Sequence, residues 1–168
     1  MPIETELKLQ IEPRYLARLA DHPLLKRAAR RVTRKPYSIY YDTPGLDLWR
    51  AGVTLRLRHS GKRWTQTVKS GGSAAGGLHQ RSEFESALTA PLPDFDALAA
   101  SEAAAYFSAP ELRLQLKPLI VMEFTRASCM LAPADGVAIE ASIDRGLIKS
   151  GDATAPVCEL ELEVKAGP

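Results

Sequence analysis

The sequence is poor in most of the features that announce a common biochemical role. It has two cysteines in 168 residues. Cys129 and Cys158 lie on separate apolar-rich stretches with no CxxC pair and no Cys/His ligand spacing, which excludes a zinc-finger type of site and reads as two buried thiols. The three histidines are no better placed: His22 sits in a helical stretch, His59 and His79 flank strands, and none has a partner at ligand spacing. No metal role is assigned to them. No apolar run approaches the roughly 18 residues of a membrane span, and charge begins at Glu4, where a signal peptide would be apolar. A cytoplasmic protein with no membrane association is expected. Charge of one sign is missing as well. With 22 basic against 20 acidic residues, a net charge of +2 and a pI near 8.6, the chain lacks the basic excess of a dedicated nucleic-acid binder, and no nucleic-acid partner is expected. There is no internal repeat and no sign of a second domain, and 45% hydrophobic residues suffice for one real core.

What the chain does have is alternation. In "IETELKLQIEP", residues 3–13, Ile3, Leu7, Leu9 and Ile11 share one parity while Glu4, Glu6, Lys8 and Gln10 share the other, and successive strand side chains point to opposite faces. The next segment, "EPRYLARLADHPLLKRAA", has Pro13 where a helix can start and is broken by His22-Pro23, which predicts one or two short helices. Strand signals return in "YSIYYDT", followed by a turn at Pro44-Gly45 and a hairpin in "VTLRLRHSGKRWTQTVK" turning at Ser60-Gly61-Lys62. "SGGSAAGG", residues 70–77, reads as a flexible loop. A strand at "RSEFES", an alanine-rich helix near 94–107, and three further strands in "LIVMEFTRASCML", "VAIEASIDRGLI" and "VCELELEVK" complete the pattern. Seven or eight strands with two helical insertions predict an antiparallel sheet or barrel rather than a βαβ array.

The parity of charge repeats from strand to strand. Thr54, Arg56 and Arg58 oppose Val53, Leu55 and Leu57; Thr65, Thr67 and Lys69 oppose Trp64 and Val68; Arg81, Glu83 and Glu85 oppose Phe84. Glu140, Ser142 and Asp144 oppose Ile139, Ala141 and Ile143, and Glu159, Glu161, Glu163 and Lys165 oppose Cys158, Leu160, Leu162 and Val164. Arg126 shares parity with Phe124, so its strand is the least clean. A solvated outer face explains any one strand. It explains the set less well, because "ELELEVK" spaces three carboxylates about 6.5 to 7 Å apart along one strand. Such a row needs open water, protons, divalent cations, or the basic groups of other strands, and a closed barrel with a charged interior provides the last.

These segments resemble the CYTH superfamily, the triphosphate tunnel metalloenzymes. "ETELK" matches its N-terminal ExExK signature, and "YYDT", "LRLR", "WTQTVK", "GLHQRSEFE", "FTR", "IDRG" and "ELELEVK" follow in the family's order over nearly the whole chain. The spacing from "TVK" to "GLHQRSEFE" is most similar to the bacterial inorganic triphosphatase branch, which is often fused to a C-terminal helical CHAD domain. The chain stops at "KAGP" just after its last strand, which raises the expectation that residues 1–168 are a single CYTH domain of a longer protein with a CHAD partner domain. The resemblance implies an α+β fold: an eight-stranded antiparallel barrel forming a tunnel, with helices packed outside.

It also implies chemistry. Glu4 and Glu6, with Glu161 and Glu163 of the last strand, would hold Mg²⁺ or Mn²⁺, hard cations that take oxygen ligands. Lys8, Arg56, Arg58, Lys69, Arg81 and Arg126 would contact phosphate, arginine as a bidentate fork and lysine as a point charge. Glu83, Glu85, Glu140, Asp144 and Glu159 are all on the parity from which a carboxylate could position water; Lys8 would polarise the transferred phosphoryl group or simply balance Glu4 and Glu6. Glu85 and Glu159 read equally as solvated charges near a mouth, and Lys165, Lys62 and Arg63 as surface residues. Asp42 in "YYDT" reads as a ligand or as a turn cap. The implied reaction is hydrolysis of inorganic triphosphate, or another polyphosphate, to pyrophosphate and orthophosphate. The alternatives are an adenylyl cyclase or a nucleoside or thiamine triphosphatase of the same family, and a non-catalytic polyphosphate-binding module. No motif reads as an adenine site, Tyr40 and Trp64 being the aromatic residues that bear on one.

Overall fold

The computed structural model describes residues 3–28, 31–133 and 136–167. The strands are β1 (Ile3–Gln10), β2 (Arg31–Arg34), β3 (Tyr37–Asp42), β4 (Thr54–Ser60), β5 (Arg63–Ala75), β6 (Leu78–Leu88), β7 (Lys117–Leu131), β8 (Ala138–Ser150) and β9 (Ala153–Ala166). They form one sheet in the order β2-β7-β3-β4-β5-β6-β1-β9-β8, all pairs antiparallel, and a β7–β8 ladder closes it. β2 and β3 lie end to end on the same edge of β7, pairing with residues 126–129 and 117–123. They act as one stave broken at Lys35-Pro36, because proline cannot donate to the ladder. The result is the expected eight-stave barrel. Closure removes the unpaired strand edges an open sheet would leave.

The parity read from sequence sets inside and outside. On β4 and the residue before it, Val53, Leu55 and Leu57 are buried on the outer face. Arg56 and Arg58 take the opposite face and line the lumen. The main apolar cluster therefore lies outside the barrel: Leu55 and Val68 of the staves pack with Leu48, Leu98, Ala103 and Phe107. Those partners come from α3 (Asp47–Arg50), α4 (Phe95–Leu98), α5 (Ala104–Ser108) and the turn before it, with α6 (Pro110–Gln115) alongside. A second cluster, Leu25, Cys129 and Ala141, seats α1 (Leu16–Ala20) and α2 (Pro23–Lys26). Among the described residues no helix is long and apolar enough to cross a membrane.

Three local readings change. Residues 70–77 are not a loop: β5 runs on to Ala75, with a register shift between Ser70 and Ser73, and only Gly76-Gly77 turn before β6. The Gly/Ser composition serves close backbone approach rather than flexibility. Gly77 has φ +85, its carbonyl accepts from Lys8 N at 2.9 Å, and a Cβ there would sit 2.5 Å from the Lys8 carbonyl oxygen. The alanine-rich segment forms short helices rather than one. Asp94 caps the first through hydrogen bonds from Asp96 N and Ala97 N at 3.1 and 3.0 Å, and Pro110 opens the last. Buried Gln66 ties that cap to the barrel by bonding both the carbonyl and the N–H of Asp94 and the hydroxyl of Ser86. β2 is new; its four residues carry too little periodicity to be seen.

Asp42 resolves as the cap. Its buried carboxylate accepts from Thr43 N at 2.7 Å, Leu48 N at 2.9 Å and Trp49 N at 3.0 Å, closing the loop from β3 to α3. Replacing it with alanine leaves three N–H groups without this acceptor, and bonds to a charged group are each worth roughly 1.5–3 kcal/mol. Asp42→Ala is expected to destabilise the fold by about 3 kcal/mol or more, measured as a lowered urea midpoint with unchanged slope; a variant within 0.5 kcal/mol of wild type (about the scatter of a surface substitution) would refute this role.

Candidate functional site

The barrel encloses a cavity of about 990 Å³. Its wall takes Glu4, Glu6 and Lys8 from β1, Arg56 and Arg58 from β4, Lys69 from β5, and Glu83 and Glu85 from β6. Arg126 of β7, Asp144 and Glu140 of β8, and Glu159, Glu161, Glu163 and Lys165 of β9 add to its charges. Arg81 stands apart. It lines an adjoining cavity of about 130 Å³ with Thr54 and Thr67, and the two cavities share Glu6, Lys8, Tyr40, Arg56 and Lys69 in their walls.

Register explains how the charges meet. Cα pairing sets Glu6 opposite Glu163, Lys8 opposite Glu161, and Arg126 opposite Asp144. Directly opposed carboxylates repel, and the basic groups are distributed to offset that. Lys8 Nζ donates to Glu161 at 2.9 Å and lies 3.5 Å from Glu6. Arg126 holds Asp144 bidentately at 2.8 and 2.5 Å and also donates to Glu161. Lys69 donates to Glu4 and lies 3.7 Å from Glu6 and 3.9 Å from Glu83. Lys165 bridges Glu163 and Glu140 at 2.5 and 3.5 Å. Lys165 thus lines the lumen and is at the same time exposed, as a residue at its mouth.

Two cations are less committed. Arg56 reaches Thr67 Oγ1 at 3.0 Å and Glu83 only at 3.9 Å, and its buried Nε has no hydrogen-bond partner. Arg58 bonds Ser38 Oγ at 3.3 Å and has no carboxylate within ion-pair distance among the described residues. Burial, with Arg56 and Arg126 beside it, brings the Arg58 guanidinium down to about 10. A guanidinium so placed is short of negative charge. Glu161 is the reverse case: burial alone would raise its carboxyl, but Lys8, Arg126 and Arg58 outweigh that and bring it down to about 2. Burial raises Glu83, with Lys69 and Arg56 opposing and Glu4 and Glu85 adding.

Among the described residues no three His, Cys, Asp or Glu side chains converge tightly enough to hold a metal ion as they stand, because the carboxylates are turned toward lysines and arginines. The donor set nevertheless suits a hard cation. Glu4, Glu6, Glu161 and Glu163 offer carboxylate oxygens from two adjacent strands. Glu6, only 4% exposed, meets Lys8 and Lys69 only at the long ion-pair distances of 3.5 and 3.7 Å, so its oxygens are the least tightly held of the four.

The wall also holds residues to which the sequence gave no role. Ser38 fixes Arg58. Met122 and Phe124 face the lumen beside Arg126, whose guanidinium stacks 5.5 Å from the Phe124 ring centre; the shared parity of 124 and 126 was the signal. Arg34, Lys35 and Arg63 line one mouth. His79 and Arg81 bond each other at 3.1 Å, and burial and Arg81 lower the His79 imidazole.

The site is thus the lumen of a closed antiparallel barrel that alternates carboxylates with lysines and arginines. The chain belongs to the CYTH domain family, which matches residues 2–168. The inorganic triphosphatase of Haemophilus influenzae is 27% identical over 165 residues, covering 98% of this chain and 46% of that protein; the chain thus spans about half the length of this curated relative. Among solved structures, an adenylyl cyclase homologue from Hippeastrum, described as having a dominant triphosphatase activity, superposes with a TM-score of 0.63 at 18% identity over 96% of this chain and 80% of that one. A Pyrococcus horikoshii protein gives 0.56 at 20% identity over 98% and 79%. Both share the fold.

The depressed Glu161 carboxyl makes a pH prediction. A carboxylate held below its ordinary value of 4.5 adds stability that is complete above that value and disappears as pH falls toward about 2. A shift of that size is worth roughly 3 kcal/mol. Urea unfolding of wild type and Glu161→Gln should differ by that order at neutral pH, with the gap closing between pH 4.5 and about 2; a gap that stays constant across the window would show that Glu161 is not held by these cations.

Proposed function

We propose that this chain hydrolyses inorganic triphosphate to pyrophosphate and orthophosphate in the barrel lumen, with Mg²⁺ or Mn²⁺ as cofactor. The observation that carries the reading is the pair of complementary charge sets in one enclosed space: carboxylates on β1 and β9, and guanidinium and ammonium groups on β1, β4, β5 and β7. Membership of the CYTH family and the name of the Haemophilus relative support it.

In this reading Glu4, Glu6, Glu161 and Glu163 hold the divalent cation, which supplies Lewis-acid neutralisation of phosphate charge when bound. Arg58 and Arg56 are the first grips on phosphate, since neither is committed to a close carboxylate. Lys8, Lys69 and Arg126 add contacts as their acids turn elsewhere, and Arg81 reaches the chain from the adjoining cavity. Binding in a partly desolvated lumen holds the terminal phosphorus in place, which is most of what phosphoryl transfer asks of a protein.

Five lumen carboxylates share the parity from which the attacking water could be oriented, and of these Glu140 is bridged by Lys165. Asp144 is clamped bidentately by Arg126 and 3% exposed, and Glu85 is exposed. Glu83 is half-buried and lies 3.9 Å from both Arg56 and Lys69 with no closer partner among the described residues, so its oxygens are the more available to accept the proton of water.

The test is orthophosphate release from inorganic triphosphate, with ATP and thiamine triphosphate in parallel, under Mg²⁺, Mn²⁺ or chelator. Release should be fastest from triphosphate and abolished by chelator. Removing a charge-stabilising group typically costs about 10²–10³ in rate, and Glu6→Gln and Arg58→Ala should each fall by about that factor. Tight triphosphate binding without release from any substrate would leave a binding module instead.

A further inference from the structure

One mouth of the barrel carries cations that the reaction as described does not use. β2 and β3 break at Lys35-Pro36, and the break brings Thr33, Arg34, Lys35 and Pro36 consecutively into the cavity wall. A regular strand would turn every second one outward. Here neighbouring Arg34 and Lys35 both face the lumen's end. Arg63 joins them from the start of β5, just past the hairpin that carries Gly61, itself part of the wall. All three are exposed, and none has an ion-pair partner among the described residues. Arg34 lies opposite Arg126 in register, and Arg126 is already engaged by Asp144 and Glu161. Of the acids in the same wall, Glu140 and Glu163 are held by Lys165.

Placement along the barrel gives these cations a direction. Arg56 pairs with Thr67, Arg58 with Thr65, and Ser60 with Arg63. Arg63 is therefore two residues, about 6.6 Å, beyond the level of Arg58 and about 13 Å beyond that of Arg56, at 3.3 Å per residue. The opposite end narrows into the small cavity of Arg81, Thr54 and Thr67.

We infer that Arg34, Lys35 and Arg63 form a collar that captures linear polyphosphate at this mouth and holds the phosphates extending past the reacting segment. The inference rests on the polyphosphate reading above and adds its polarity: the reacting end points inward and the remainder of the chain lies toward the collar. Exposed charges act over a Debye length of about 10 Å at 0.1 M salt, so the collar works mainly at low ionic strength, and its contribution grows with the number of phosphates outside the lumen. An uncharged extension, such as a nucleoside, gains nothing from it.

The experiment compares wild type with Arg34→Gln/Lys35→Gln/Arg63→Gln. The control is Arg18→Gln/Arg27→Gln/Arg50→Gln, which removes the same charge from exposed arginines that line neither cavity. Calorimetry in chelator gives the affinity for inorganic triphosphate, tetraphosphate and a medium-length polyphosphate at low and high salt, and steady-state assays with Mg²⁺ give kcat and kcat/KM for triphosphate. The collar variant should lose several-fold in triphosphate affinity at low salt and tenfold or more for the longer chains, in line with steering effects of about 10–10³. Its kcat should be unchanged and the deficit should vanish at high salt. An equal loss in the control variant, or a loss that does not grow with chain length, overturns the collar. Wild type that binds all three ligands but hydrolyses none overturns the proposed function while the collar is judged by binding alone. Wild type that binds none of them in chelator and releases no orthophosphate with Mg²⁺ overturns both.

Discussion

The constraint on which the structure depends is the balance of charge inside a closed wall. Carboxylates from neighbouring strands share one lumen with lysines and arginines, and an ionised group removed from water is costly unless paired. Glu6 and Glu161 each lean on two cations, and Asp144 and Glu4 on one that is shared with another acid. Glu161 takes Lys8 and Arg126, Glu6 lies between Lys8 and Lys69, and Arg126 is shared by Asp144 and Glu161. The pairing is a network rather than a set of isolated bridges, so removing one member leaves several others uncompensated.

This constraint dictates where the hydrophobic core can be. Because the charged residues of the staves turn inward, the apolar faces of β4 and β5 turn outward and must be covered. The covering comes from short helices, with Leu48, Leu98 and Phe107 sealing Leu55 and Val68. Asp42 and Gln66 fasten the chain segments that carry those helices. The helices contribute nothing directly to the lumen, yet the lumen exists only because they bury the other side of its wall. Function and stability are thus divided between the two parities of the same strands.

That division is why so much was legible in the sequence. Alternation in "ETELK", "LRLR" and "ELELEVK" specified which residues face inward, since a one-residue slip would invert every strand. Glu4, Glu6, Lys8, Arg56, Arg58, Lys69, Glu83, Asp144, Arg126, Glu161 and Glu163 do meet in one cavity. What remained hidden depends on pairing rather than parity. Arg81 has the right parity and lies opposite Glu4 in register, yet it opens on the smaller cavity. Residues 70–77 looked like a linker because Gly and Ser are common to linkers and to close backbone crossings, and only the ladder with β6 tells them apart. Arg34 and Lys35 gave no strand signal because their stave is interrupted, and Asp42 could not be told from a ligand until the N–H groups of Leu48 and Trp49 were seen to reach it.

The same pairings shape how the lumen can take a ligand. A polyanion entering alone must draw Lys8, Lys69 and Arg126 away from carboxylates that already hold them, and would leave those carboxylates buried and unpaired. A divalent cation entering alone meets the converse difficulty, since it must displace ammonium and guanidinium groups from Glu4 and Glu161. Arriving together, each would relieve the cost of the other: Glu4, Glu6, Glu161 and Glu163 would be taken up by the cation, and Lys8, Lys69 and Arg126 would be released to the phosphates. Buried ion pairs are weak sources of stability but strong sources of specificity where breaking one is tolerable only if both halves find new partners. A lumen built in this way favours a ligand that brings matched positive and negative charge, which a metal polyphosphate does and a lone anion does not.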